Sequence, residues 1–225
     1  MTSHAFWPSV FLPPMTSRTL PTTADLARPS VTEPLPASPP GTAPWLLFRA
    51  ATPLGQALLV TDGEGRLRAL DWHDHEPRMR TLLARQYRHA SPELQETRQA
   101  PAAHAALLRY FSGELHVLDT LPVALAGTDF QRLVWRTLRD IPPGQTLSYA
   151  ELARRIGRPA AIRAVGLANG ANPISLALPC HRVIGSNAAL TGYGGGLHRK
   201  QWLLEHEHAL PLRPAYPLNG TLPGF

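Results

Sequence analysis

The chain has 225 residues, 44% of them apolar and 17% charged, which suits one large globular domain or two small ones and excludes a wholly disordered or fibrous protein. Its formal net charge of +6 and sequence pI near 10.2 favour a polyanionic partner, nucleic acid first, although a single lysine among the cations also fits plain arginine-rich codon usage. One cysteine excludes an intramolecular disulfide and any cysteine-rich zinc site, and no apolar run reaches the length of a membrane span.

Residues 1–44 are rich in Pro, Ser and Thr and lack a core-forming pattern, so they are expected to be a disordered tail. They lack the basic start and apolar stretch of a secretory signal, and Met15 is an alternative start. A cytoplasmic location is expected. From Trp45 the pattern changes. Segments 46–50, 56–61 and 66–71 are apolar and separated by Pro53-Leu54-Gly55 and Asp62-Gly63-Glu64-Gly65, which predicts three antiparallel strands with tight turns. Helices are predicted over 76–89 and 101–111, the second with Ala103, Leu107, Leu108 and Phe111 on one face and Gly113 at its end. A further strand is expected at 121–125. His73, His75, His89 and His104 follow no common metal-ligand spacing and read as solvated side chains, so no metal is expected.

The domain boundary is expected at 126/127, with 45–126 as a first unit, 127–210 as a second and 211–225 as a flexible tail. Thr128-Asp129-Phe130-Gln131 is a capping box that opens a helix with Phe130, Leu133, Val134 and Leu138 on one face. Ser148-Tyr149-Ala150-Glu151 is a second capping box, followed by a stripe of Tyr149, Leu152, Ala153 and Ile156. Gly157 suits a left-handed helix end, and Pro159 the first turn of a helix that buries Ile162, Val165, Gly166 and Asn169. The pair reads as a helix-turn-helix with Arg163 and Arg158 pointing outward. A last helix over 197–208 carries Trp202, Leu203 and Leu204.

The only cysteine, Cys180, follows an apolar run (174–178) and a proline, which reads as a short buried strand entering a turn. A lone thiol in such a place is usually inert packing. Here His181 stands next to it, Arg182 follows, and a glycine-rich loop comes shortly after; histidine and positive charge are what lower a thiol pKa from about 8.5. Side chains adjacent on a strand point to opposite faces, so a water is expected to connect Cys180 and His181. The loop Gly192-Tyr193-Gly194-Gly195-Gly196 lacks the Lys-Ser/Thr of a phosphate-cradling loop, and its glycines would instead let backbone approach a flat base.

The run Pro179-Cys180-His181-Arg182-Val183-Ile184-Gly185, with Leu190-Thr191-Gly192-Tyr193-Gly194-Gly195-Gly196 and Arg199-Lys200-Gln201-Trp202-Leu203-Leu204, resembles the O6-alkylguanine-DNA alkyltransferases. The likeness covers about 128–207 closely and 45–125 loosely. It implies an α+β fold: a small N-terminal α/β, ribonuclease-H-like subdomain with antiparallel strands that does no chemistry, then a mainly helical, winged helix-turn-helix-like catalytic domain. It implies irreversible, single-turnover transfer of the alkyl group of O6-alkylguanine, less readily O4-alkylthymine, to Cys180. It further implies that His181 deprotonates the thiol through water, that Glu207 orients His181, and that Asn172 ties the active-site turn. Tyr149 would help rotate the nucleotide out and protonate the leaving guanine, and Arg163 would fill the gap left in the duplex. Tyr193 and Gly194 would line the guanine pocket, and the carbonyls of Cys180 and Val183 would read its amino group. No cofactor is expected; the partner is double-stranded DNA containing O6-alkylguanine, with no membrane, and the protein acts as a monomer.

Two departures from the family stand out. Some relatives carry serine at Gly194, and Ala188 stands where glycine is common, which would move the strained backbone position to Asn187. The main alternative is a non-catalytic alkyltransferase-like lesion-binding protein. Those proteins have tryptophan at the nucleophile position, where this chain has Cys180. A plain helix-turn-helix transcription factor would have no use for the Cys180 motif, and a thiol protease would need a cleft and an oxyanion site that the sequence does not show.

Overall fold

A computed structural model describes residues 44–87, 93–187 and 189–210; the expected tails, residue 44 apart, lie outside this range. Three strands, β1 (Trp45–Thr52), β2 (Gly55–Thr61) and β3 (Leu67–Trp72), form the antiparallel meander that their apolar runs predict. A fourth, β4 (Leu94–Glu96), pairs with β1 in parallel, so the sheet is mixed, in the order β3-β2-β1-β4. The antiparallel expectation missed β4 because three residues carry no periodicity. The strand expected at 121–125 is one bridge, Leu67 to Val123, and a second bridge joins Leu70 to Ile174. These two contacts cover the outer edge of β3 and explain why an edge strand is buried along its whole length.

The faces of the sheet are covered differently. Helix α1 (Glu76–Gln86) sets Met79 and Leu83, one turn apart, on a cluster with Trp45, Leu47, Leu58, Val60 and Ala69. On the opposite side lies the main core, which runs without a break from Leu59, Leu70 and Trp72 through Trp135 and Leu138 to Cys180, Val183 and Leu203. Helix α2 (Ala102–Phe111) faces this core with Ala103, Ala106, Leu107 and Tyr110. Its buried face is thus rotated from the expected one: Leu108 is 46% exposed, Phe111 is only partly buried, and the turn at Gly113 follows as predicted.

In the second half, both capping boxes are formed, Thr128 with Gln131 at the start of α3 (Asp129–Arg139) and Ser148 with Glu151 at the start of α4 (Tyr149–Arg155). Helix α3 buries Val134, Trp135, Thr137 and Leu138, while Leu133 is 40% exposed. Trp135 displaces the smaller residue from the core, and its indole N–H donates to the Ala168 carbonyl at 2.8 Å, fixing α3 against α5 (Ile162–Gly170). Gly157 has φ +69 and ends α4, but Pro159 lies in the turn before α5 rather than in its first turn. Of the predicted α5 stripe, Val165 and Asn169 are buried, Gly166 is half-buried and Ile162 is 42% exposed; Ala168 completes the inner face. Two short strands, β5 (Leu147–Ser148) and β6 (Val183–Ile184), pair in parallel, and no antiparallel wing is present among the described residues. The last helix among the described residues is α6 (Leu197–His206), two residues shorter than expected because His208 adopts a left-handed φ of +60.

Candidate active site

The segment before Cys180 is a turn rather than the expected strand. Leu176 has a φ of +67, which a leucine adopts only when its surroundings hold it there. What holds it is on either side: the Leu70 N–H donates to the Pro173 carbonyl at 3.0 Å, and the Ser175 N–H donates back to the Leu70 carbonyl at 2.8 Å. Inside the turn, the Asn172 side chain accepts from the Ile174 N–H and donates to the Leu178 carbonyl. Cys180, 5% exposed, then starts a 3-10 turn, Cys180–Arg182, behind Pro179.

That turn sends the next two side chains into the core. His181 is fully buried, and its Nε2 lies 3.0 Å from Glu207 Oε1. Glu207 is the residue that caps α6, and it is 1% exposed. Arg182, expected to favour the thiolate, instead grips Glu207: its Nε donates to Oε2 and its Nη2 to Oε1, both at 2.8 Å, while Nη1 donates to the Ile141 carbonyl at 2.5 Å. The Tyr110 hydroxyl donates to Oε1 as well, at 2.7 Å. Burial opposes ionisation of Glu207, but His181 and the two bonds from Arg182 outweigh it and hold the carboxyl well below its ordinary range.

These charges settle the protonation of the pair. Burial pushes the His181 imidazolium down, and this outweighs the pull of Glu207, whose charge Arg182 already compensates. A neutral ring facing a carboxylate donates from Nε2, which leaves Nδ1 as a lone-pair acceptor. Nδ1 is buried and has no hydrogen-bond partner among the described residues. The thiol is not pre-ionised: burial pushes Cys180 up, and the opposing pulls of Asn172, Arg78 and Lys200 do not reverse it. Cys180 therefore rests as a thiol beside a buried base.

The loop after Cys180 forms a wall. The Tyr193 ring stands edge-on to His181, with centroids 6.4 Å apart, and its hydroxyl is buried without a partner among the described residues. Burial, then Cys180, raises the Tyr193 phenol. A Cβ on Gly194 would meet the Arg78 guanidinium at 2.4 Å, so the serine of some relatives would require Arg78 to move. Arg78 is tied to Asp71 at 2.5 Å and to the Gly170 carbonyl at 2.7 Å. Asn187 does not take the strained backbone; its side chain accepts from the Ala189 N–H, and the described non-glycine residues of positive φ are Leu176 and His208.

Val183 is buried and its carbonyl accepts from Lys200 Nζ at 2.6 Å, while the Cys180 carbonyl faces Asn169 Nδ2 at 3.4 Å. The Cys180 carbonyl also accepts from the Val183 N–H, so the long contact to Asn169 is the one that an incoming donor would replace. Tyr149 is half-buried at the start of α4, its ring near Gly166 of α5, and burial raises its phenol. Arg163 and Arg158 are exposed on the helix-turn-helix, as expected, and Leu167, one turn beyond Arg163, is 78% exposed.

Sequence reasoning missed Tyr110, Arg182 as the clamp on Glu207, and Lys200. Lys200 is fully buried, bonds the Val183 and Thr191 carbonyls at 2.6 and 2.7 Å, and is brought down to about 8 by burial. Its apolar neighbours in α6 were the available signal: a cation between Arg199 and Trp202, beside two buried leucines, faces inward.

The family model described as 6-O-methylguanine DNA methyltransferase, DNA binding domain, matches residues 129–209. The methylated-DNA–protein-cysteine methyltransferase of Salmonella typhimurium is 52% identical over 164 residues, 73% of this chain and 96% of that protein. The Haemophilus influenzae protein of the same name is 39% identical, over 69% of this chain and 82% of its own. Among solved structures, Mycobacterium tuberculosis OGT in complex with DNA is similar with a TM-score of 0.59 and 39% identity, covering 73% of this chain and 93% of that one.

Proposed function

The chain belongs to the O6-alkylguanine-DNA alkyltransferase family, and on that premise we propose that Cys180 accepts the alkyl group and that His181 is its base. The reaction is transfer of the methyl group of O6-methylguanine in DNA to a protein cysteine, a direct repair of DNA. The observation that carries the residue assignment is the buried row of Cys180, His181 and Glu207, with His181 anchored on one nitrogen and open on the other.

In this reading the Cys180 proton passes to His181 Nδ1, through a water if the two do not touch, and Glu207 stabilises the imidazolium that forms. The thiolate attacks the methyl carbon, a carbon–sulfur bond forms, and the carbon–O6 bond breaks with its electron pair leaving on guanine. The departing base takes up a proton, with the Tyr149 phenol as donor. Tyr193 and Gly194 line the pocket, and the carbonyls of Cys180 and Val183 accept from the guanine amino group.

The base must leave the duplex before it can react. Arg163 is proposed to occupy the vacated space, with Arg158 on phosphate. Leu167, on the same face of α5 as Arg163, lies against the sugars of the minor groove, as apolar side chains do in proteins that open base steps there. Double-stranded DNA is thus the partner, O4-alkylthymine a poorer substrate, and a cytoplasmic monomer the working form. Residues 45–126 are read as the supporting subdomain and 127–210 as the catalytic one.

A thioether offers no carbonyl for water to attack, and the chain has no second cysteine to exchange with. Each molecule is therefore proposed to act once. Titration with excess O6-methylguanine oligonucleotide tests this: product should plateau at one methyl per active molecule, with the added mass on Cys180. Product rising past equivalence, or methyl found elsewhere, would refute the reading.

A further inference from the structure

We propose that Tyr110 is a positioning residue of this reaction: its hydroxyl donates to the same Glu207 oxygen that holds His181, so that the N-terminal half of the chain helps to set the base. The proposal rests on the reading of His181 as the base. It departs from the view of residues 45–126 as a mere support, because α2 lies outside the segment matched by the family model, residues 129–209.

Glu207 Oε1 accepts from three groups: Tyr110 Oη at 2.7 Å, Arg182 Nη2 at 2.8 Å and His181 Nε2 at 3.0 Å. Donors that share one oxygen draw on the same electron density, so each weakens the pull on the others. His181 makes the longest of the three contacts. Tyr110 can only act as a donor here. Its phenol is raised well above its ordinary range by burial and by Glu207. Its ring is fixed between Phe111 and His206, with centroids at 5.3 and 5.2 Å, and His206 also bonds the Tyr110 carbonyl at 2.9 Å. The hydroxyl is therefore aimed by packing on α2 and α6, independently of Glu207.

The charged and titratable groups around His181 are Glu207 at the end of α6, Arg182 in the Cys180 turn, Lys200 within α6, and Tyr193, whose ring stands edge-on to it. Tyr193 and Arg182 also face Tyr110. Arg182 supplies the compensating charge, while Tyr110 supplies a neutral donor that can be removed without leaving a buried ion alone. Its effect on His181 is thus separable. Less competition for Oε1 would strengthen its pull on the imidazolium, hold the proton on His181 to higher pH, and take away the free base at the acid end.

The test is the rate of methyl transfer from duplex O6-methylguanine as a function of pH, with the full chain. Tyr110→Phe keeps the ring, and its acid limb should move up by about 0.5–1 pH unit, the size of one net hydrogen bond. Placing 3-fluorotyrosine at position 110 keeps every contact with a more acidic, stronger donor and should move the limb down; it serves where Tyr110→Phe does not fold. In a Glu207→Gln background, Tyr110→Phe should add no further shift. Limbs that superimpose on the parent for Tyr110→Phe or the fluorinated protein, or additive shifts in the double variant, would overturn the proposal. A parent-like profile for Glu207→Gln alone would overturn the assignment of His181 instead.

Discussion

Asn172 spans the turn that delivers Cys180, its amide donating to the Leu178 carbonyl at 2.8 Å and its oxygen accepting from the Ile174 N–H at 2.9 Å. One side chain thus satisfies two buried backbone groups on either side of the left-handed Leu176. Asn172→Ala leaves the Ile174 N–H unpaired, at about 1–3 kcal/mol, while the Leu178 carbonyl keeps the Cys180 N–H. Denaturant unfolding should show that loss. Asn172→Asp keeps the acceptor but turns a carboxylate toward the thiol, which the amide now helps to ionise. Its transfer rate at neutral pH should fall further than that of Asn172→Ala; the reverse order would mean that Asn172 acts through the turn alone.

Glu207→Gln should cost stability as well as rate. Arg182 is 3% exposed and would be left as a buried cation without its carboxylate, a change that typically costs about 3–5 kcal/mol. The melting temperature should drop, and methyl transfer at saturating DNA should slow. Unchanged affinity for methylated duplex would separate this from a loss of DNA binding.

Arg163→Ala should slow repair of duplex DNA much more than reaction with free O6-methylguanine, which needs no extrusion. Leu167→Ser should follow the same pattern more mildly, about ten-fold on duplex and nothing on the free base, because a residue 78% exposed carries no core. Equal losses on both substrates for either variant would place that residue in the fold rather than at the DNA.

Acid should unfold the protein early. His181 has its imidazolium pushed down by burial, so below about pH 6.5 the unfolded chain binds a proton that the folded one refuses. Glu207, held low by His181 and Arg182 against its burial, adds a second such loss below the ordinary carboxylate range. Both have the same sign: stability falls as pH falls. Unfolding free energies from pH 8 to pH 4 should decline from about pH 6.5 downward, and His181→Asn should flatten the first part of that slope.

The features that sequence revealed were those with local causes. The capping boxes at Thr128 and Ser148 needed only three residues of spacing, and both formed as read. Cys180, His181 and Glu207 were legible as types, but a separation of 26 positions between His181 and Glu207 hides that their side chains meet. Tyr110 was invisible for the same reason, being 97 residues from its partner. Faces chosen by periodicity alone went astray where a larger neighbour took the core, as Trp135 did from Leu133 and Tyr110 did from Leu108. The Cys180 segment looked like a strand because its residues are apolar. Only contacts with Leu70 and Asn172 turn that run into a bend.

The chain owns one thiol and one lysine amine, and the folded core encloses both. Electrophiles that acylate lysine can reach Lys200 only when α6 lifts from the Val183 and Thr191 carbonyls. Its labelling rate is therefore a built-in gauge of how often the active-site half breathes, free of interference from any other lysine. Once Cys180 has taken a methyl group, overpacking of about 1–3 kcal/mol would raise the open fraction roughly 5- to 150-fold. A spent molecule should then announce itself by a quickened reaction at a single lysine, readable by mass spectrometry in a mixture where spent and unspent proteins share every other surface.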